Sequence, residues 1–150
     1  MKLAFVFPGQ GSQAVGMLDS FAQNAAVQEA VKTADEALGE DLSGLIHNGP
    51  AESLNLTINT QPALLTASVG MYNAWLAAGG VKPEVMAGHS LGEYSALTAA
   101  GVFPLEEAVK LVRFRAKVMQ EAVPVGVGGM AAIIGLPDEA VFEVCREAAS

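Results

Sequence analysis

The stretch Val85-Met86-Ala87-Gly88-His89-Ser90-Leu91-Gly92-Glu93-Tyr94-Ser95-Ala96-Leu97 decides the fold. Val85-Met86-Ala87, led in by Pro83, reads as a short strand, Gly88 to Gly92 as a sharp turn, and Leu91 to Ala100 as a helix ended by Gly101. A serine on so tight a turn needs neighbours without side chains, and Gly88 and Gly92 supply them. Such an elbow lifts the Ser90 hydroxyl clear of the sheet. It also points the Leu91 amide, at a helix N-terminus, toward the place where an oxyanion would form. The alternative is an ordinary glycine-rich turn in which the serine merely caps the helix.

Working outward, Lys2 to Phe7 (KLAFVF) is a β-favouring run stopped by Pro8-Gly9, the pattern of a buried first strand followed by a loop. Helical periodicity appears over Met17 to Asn24 and over Val27 to Leu38, with Gly39 as the stop and a shorter helix over Leu42 to His47. Gln61-Pro62 is expected to open a helix running to Ala78, because proline is tolerated in a first turn. Pro104 starts another, Leu105 to Ala122. Pro124 to Gly129 has the glycine content of a hinge, after which Met130 to Gly135 suggests a strand and Pro137-Asp138-Glu139 the start of a last helix. Strand and helix alternate, so the class is α/β.

With 150 residues, 51% hydrophobic and 16% charged, and a mean hydropathy of +0.37, the chain is far too apolar for disorder. Its net charge of −8 and pI near 4.6 leave no overall footprint for a phosphate backbone, so nucleic acid is not an expected partner. Lone Cys145 and the lack of a cleavage-site pattern after Met1-Lys2-Leu3 point to a reducing, cytoplasmic setting. From Ser53 to Val81 no residue is charged. Asn55, Asn59, Gln61, Pro62, Asn73 and Gly79-Gly80 interrupt that run, which reads as a buried helix with its lead-in and gives no membrane partner.

Arg115 is the second informative residue. At 100° per residue, Ala108, Leu111, Val112, Val118, Met119 and Ala122 share one helix face, and Arg115 projects from the middle of it. A guanidinium there needs an anion: either a structural Asp or Glu, or a carboxylate arriving with a substrate. Lys110, Arg113 and Lys117 point elsewhere, a solvated face or a weak patch for an anionic partner. His89 neighbours Ser90, but adjacent side chains on a strained turn diverge, so it reads as a supporting contact or as a buried histidine satisfied by backbone. His47 reads as an exposed or capping residue. Gly9-x-Gly11-x-x-Ala14 fits a dinucleotide fingerprint only formally, because Gln28 to Ala34 is helical where a second strand is required. No Gly-Lys-Ser/Thr and no metal-ligand spacing occurs. The glycine loop at the end of the first strand is left as a source of a second oxyanion donor, near Gln10.

FVFPGQGSQAVGM, NTQPALLTASV, GHSLGEYSAL and the segment Arg115 to Pro124 (R-x-K-x-MQEAVP) together resemble the malonyl-CoA:acyl carrier protein transacylase family of bacterial fatty-acid synthesis. The resemblance runs from Phe5 to the end of the chain. It implies the N-terminal part of an α/β-hydrolase-like subdomain over residues 1–124, and the first strand and helix of a ferredoxin-like insert over residues 125–150. It implies Ser90 as the nucleophile that becomes malonyl-serine, the Gln10 and Leu91 amides as the oxyanion hole, and Arg115 as the partner of the malonyl carboxylate. Gln61, Met119 and His89 match positions near the acyl pocket. Malonyl-CoA and acyl carrier protein are the implied partners; coenzyme A enters as a thioester substrate, and no cofactor is bound permanently.

Members of that family are about twice this length, and their catalytic histidine lies in the half not spanned here. Residues 1–150 alone are therefore expected to lose most of the activity, either as a fragment or as one of two complementary chains. The rival readings are a serine esterase or thioesterase sharing the elbow, and a catalytically incomplete half that only binds carrier protein through Lys110, Arg113 and Lys117.

Overall fold

The apolar run after Lys2 forms strand β1 (Ala4–Phe7), and the run before the serine turn forms β2 (Val85–Gly88). They pair in parallel, Ala4 opposite Val85, Phe5 opposite Met86, Val6 opposite Ala87 and Phe7 opposite Gly88. A parallel pair needs a long crossover. It is made here by a 3-10 turn (Asp19–Phe21) and four helices: α1 (Ala25–Leu38), α2 (Leu42–Asn48), α3 (Ala51–Leu54) and α4 (Thr57–Ala77). After β2 come α5 (Leu91–Ala99), α6 (Leu105–Ala122) and α7 (Asp138–Ala148). This computed structural model describes all residues except Met1, Val125, Gly129, Met130, Ala132 and Ser150.

The long uncharged segment is α4, and it runs through the centre of the molecule, packed against α1, α5 and α6. Every residue from Thr60 to Gly70 is buried, as expected for a helix apolar on all sides. Among the described residues no helix is long and apolar enough to cross a membrane. Leu18, Ile46, Leu54, Leu91, Val109 and Val112 are enclosed around it, with its own Leu65. On the sheet, Phe5 and Phe7 turn to the α4 side and meet Tyr72 edge-on, with ring centroids 5.6 and 6.3 Å away.

Local structure departs from the sequence reading at several points. Met17 to Asn24 is not a helix but the short 3-10 turn, because Asn24 serves as the cap of α1, its Oδ1 accepting from the amides of Ala26 and Val27 at 3.0 and 3.2 Å. Helix α4 begins at Thr57 rather than Gln61, so Pro62 lies inside it. The first strand is buried on one face only, with Val6 77% exposed on the other. Of the strand expected over Met130 to Gly135, Met130 and Ala132 lie outside the described residues, and Ala131, Ile133, Ile134 and Gly135 take no strand conformation. Helix α7 forms where expected and buries none of its residues.

Candidate active site

Between β2 and α5 the chain turns at Ser90, which has φ +53° and ψ −109°. It is the one non-glycine residue with positive φ among those described. An L-residue does not adopt that conformation without strain, so the surrounding structure must impose it. The two flanking glycines show how. A Cβ on Gly88 would fall on the Gly92 carbonyl, and a Cβ on Gly92 would fall on the Phe7 carbonyl at the end of β1. The turn is therefore folded tightly back against the first strand, and Ser90 is left exposed at its tip. Its side chain makes no capping bond to α5, which removes the simple capping alternative.

The Ser90 hydroxyl instead meets Arg115. Arg115 Nη2 donates to Ser90 Oγ at 3.0 Å, and Nη1 donates to Gln61 Oε1 at 2.7 Å. The guanidinium carbon stands 5.4 Å from the centre of the Tyr94 ring, one helical turn beyond Ser90 on α5. Gln61 is fully buried, and its amide donates onward to Met119 Sδ at 3.3 Å. Ser90, Arg115, Gln61 and Met119, from three separate helices or their ends, are thus one connected group, with Tyr94 added. Arg115 has no Asp or Glu partner among the described residues, so a structural ion pair does not account for it. Its place on α6 also differs from the expected one: Ala108, Val109, Val112 and Ala116 form the buried stripe, Leu111 and Val118 are 38% and 47% exposed, and Arg115 sits at the rim of the stripe rather than its middle.

The loop after β1 is tied down by side chains. Gln10 Nε2 donates to Thr57 Oγ1 at the start of α4 at 3.0 Å, and Gln13 Nε2 to Asn55 Oδ1 at the end of α3 at 2.8 Å. The Gly11 amide is taken by Gln13 Oε1 at 2.8 Å. The amide of Gln10 has no acceptor among the described residues, and that of Leu91 opens α5. Each follows the end of a strand, Gln10 after β1 and Leu91 after β2.

Residues 4–147 match the family described as acyl transferase domain. The chain belongs to that family. Over 149 residues it is 59% identical to the malonyl CoA-acyl carrier protein transacylase of Escherichia coli strain K12, a match covering 99% of this chain and 48% of that protein. The chain thus spans about half the length of the curated relatives it matches. The structure of an acyl-carrier-protein S-malonyltransferase from Burkholderia pseudomallei 1710b is similar with a TM-score of 0.89 at 61% identity, over 99% of this chain and 48% of that one. A type II PKS acyl-carrier protein in complex with its malonyl-transacylase gives 0.90 at 50% identity, over 100% and 49%.

Other residues of this acyl transferase domain fall outside the group. His89 is exposed rather than buried, its side chain makes no hydrogen bond among the described residues while its carbonyl accepts from the Gly92 amide at 2.8 Å, and it sits against the Gly9 turn. His47 is half-buried and its Nδ1 lies 2.7 Å from Asp19 Oδ1. Lys110 and Lys117 are exposed, Lys117 with Glu121 at 3.8 Å. Arg113 does not belong with them. Its side chain is only 16% exposed and is spent on Glu40, the Ile58 carbonyl and Asn59, so it is not free to meet a docking partner. Among the described residues no three His, Cys, Asp or Glu side chains gather as a metal would require. Grooves of about 260 Å³ (Leu18, Phe21, Val31, His47) and 400 Å³ (Tyr72, Pro83, Met86, Leu97) lie elsewhere, and neither is lined by a residue of the Ser90 group. The connected polar side chains, not concavity, mark the site. Tyr94 and Thr57 are missing from the sequence reading. Tyr94 was open to detection, since residues four apart share a helix face; Thr57 carries no signal of its own.

Proposed function

We propose that this acyl transferase domain carries the nucleophile, the oxyanion donors and the carboxylate clamp of a malonyl-CoA:acyl carrier protein transacylase of fatty-acid synthesis. The observation that carries the reading is Arg115, a half-buried guanidinium without an acid partner among the described residues, 3.0 Å from Ser90 Oγ. A free carboxylate on the acyl group satisfies that charge, and the planar fork of arginine binds it through two parallel hydrogen bonds. The thioester carbonyl of the same acyl group then lies near Ser90. An uncharged acyl group leaves the guanidinium unsatisfied, so the site prefers a malonyl to an acetyl unit.

In this reading Ser90 Oγ attacks the thioester carbonyl carbon while a base takes its proton. The oxyanion faces the Gln10 and Leu91 amides, the carbon–sulfur bond breaks, and coenzyme A leaves as a thiol with the proton returned. The phosphopantetheine thiol of the carrier protein next attacks the malonyl-Ser90 ester and releases the serine. Of the two imidazoles, His47 is engaged by Asp19, and His89 is exposed with no side-chain hydrogen bond to the Ser90 hydroxyl, which Arg115 holds instead. The base is accordingly assigned to a histidine in the part of the relatives' length that residues 1–150 do not span. Coenzyme A is a substrate, no permanent cofactor is invoked, and the reaction is cytoplasmic. Exposed Lys110 and Lys117 are assigned to the acidic carrier protein. The same reading gives residues 1–124 to an α/β-hydrolase-like subdomain, supported by the parallel pair and its serine elbow, and residues 125–150 to a ferredoxin-like insert.

The test is covalent capture. The intact protein exposed to radiolabelled malonyl-CoA is expected to retain label through denaturation, and Ser90→Ala to retain none. Label persisting on the Ser90→Ala protein overturns the assignment. Rapid release of malonate into water without a thiol would mark a hydrolase instead.

A further inference from the structure

Pro62 lies inside α4 and has no amide hydrogen, so the Ile58 carbonyl four residues earlier lacks the donor that an ordinary helix would give it. Arg113 supplies one: its Nη1 donates to Ile58 O at 2.7 Å and to Asn59 Oδ1 at 2.8 Å, while Nη2 pairs with Glu40 just beyond α1. Asn59 in turn donates to the Ser53 carbonyl of α3 at 2.9 Å. Leu56 at the cap of that turn offers no side-chain acceptor to the first amides, and beside Asn59 the Thr60 hydroxyl also ties the turn to α3, donating to the Leu54 carbonyl at 2.6 Å.

That same turn holds both halves of the proposed site. Thr57, immediately before Ile58, accepts from the side chain of Gln10, whose amide the proposed function assigns to the oxyanion. Gln61, immediately before Pro62, accepts from Arg115. Thr57 and Gln61 are four residues apart and share a helix face. Arg113 and Arg115, two residues apart on α6, therefore grip α4 at two points ahead of its proline, and the grip fixes where Gln61 presents its oxygen.

We propose that Arg113 is a positioning residue: by replacing the hydrogen bond that Pro62 cannot make, it sets the first turn of α4 and through it both the carboxylate clamp at Arg115 and the oxyanion loop at Gln10. This rests on the transacylase reading above. Loss of the grip acts on two separable quantities. A shifted Gln61 loosens Arg115 and raises KM for malonyl thioester alone, whereas a shifted Thr57 loosens Gln10 and lowers kcat for any acyl group.

The experiment measures kcat and KM of the intact protein for malonyl and acetyl thioesters, with thermal midpoints, in Arg113→Met, Arg113→Lys, Glu40→Gln and Arg115→Met. Arg113→Met is expected to raise the malonyl KM about tenfold and lower kcat severalfold on both substrates, leaving the acetyl KM unchanged. Arg113→Lys restores part of both, since one ammonium reaches the Ile58 carbonyl. Wild-type kinetic constants with only a lowered thermal midpoint overturn the proposal and leave Arg113 a structural latch. If Arg113→Met does not fold, Glu40→Gln decides: a malonyl KM raised about two- to threefold supports the proposal, and unchanged constants overturn it. Arg115→Met tests the underlying reading separately. An equal loss on both substrates there removes the carboxylate clamp whatever Arg113 does, whereas a malonyl-specific loss there with no effect at Arg113 removes only the positioning role.

Discussion

Replacing Arg115 by methionine keeps an unbranched aliphatic side chain and removes the charge together with its contact to the Tyr94 ring. Two consequences follow from the geometry. Gln61 Oε1, in a fully buried residue, loses its donor at 2.7 Å, and an orphaned buried acceptor costs about 1–3 kcal/mol of stability. The malonyl carboxylate also loses its partner. Removing one member of a hydrogen-bonded charge pair costs about 2–5 kcal/mol in buried settings, and the half-exposed position of Arg115 argues for the lower part of that range. At about 1.4 kcal/mol per tenfold, a loss of about 2–4 kcal/mol is a fall of about 30- to 1,000-fold in kcat/KM for malonyl transfer. Acetyl transfer has no carboxylate to lose and is expected to stay within about threefold of wild type. Steady-state kinetics on the intact protein at 25 °C, with folding verified by circular dichroism, measures both. Equal losses on the two substrates would refute the reasoning, because Arg115 would then act through the fold or through Ser90 itself and not through the acyl group.

Two further expectations concern the scaffold. Gly92→Ala places a methyl group on the Phe7 carbonyl with backbone on both sides, and is expected to destabilise by on the order of 3 kcal/mol; a urea midpoint within experimental error of wild type would mean that the close approach of elbow and β1 is not needed. Asp41 caps α2, and hydrogen bonds from the Gly44 amide and then the Ser43 hydroxyl hold its carboxyl below the ordinary value of 3.8. A group whose folded pKa is depressed contributes stability above its unfolded pKa and loses it as pH falls through the folded one. Asp41→Ala is thus expected to unfold earlier in urea than wild type at pH 7 and to converge on it under strongly acid conditions, and a gap that does not change with pH would count against the cap.

What could be read from the sequence is what is decided locally. The elbow needs a strand, two glycines and a helix within a few residues, and each is visible as such; the strain at Ser90 follows from that chemistry. The cap of α1 at Asn24 was equally local, yet the apolar spacing of Met17, Leu18 and Phe21 imitated a helix, and the competing cap prevailed. Arg115 stood out because a charge among apolar residues is anomalous at any phase of the helix. Its phase was misjudged because Leu111 and Val118 were counted as core although both are substantially exposed. Hydrophobicity tells which residues could be buried, not which ones are.

Arg113 shows where local reading stops. A proline inside a helix announces an orphaned carbonyl, and the sequence places Pro62 plainly. A proline at a helix start leaves no such orphan, so a helix begun at Gln61 calls for no donor, whereas one begun at Thr57 does. Even with the helix begun correctly at Thr57, the donor is 55 residues away on another helix, and only tertiary packing selects Arg113 over Lys110 or Lys117. Arg113 and Arg115 look alike in sequence, but the acceptors that packing offers them differ. Arg113 meets a carbonyl, an amide oxygen and a carboxylate, and its charge is neutralised within the chain. Arg115 meets an amide oxygen and a hydroxyl, so its charge is still unmet. That difference is why the proposals cast the first as a support and the second as the partner of an incoming anion.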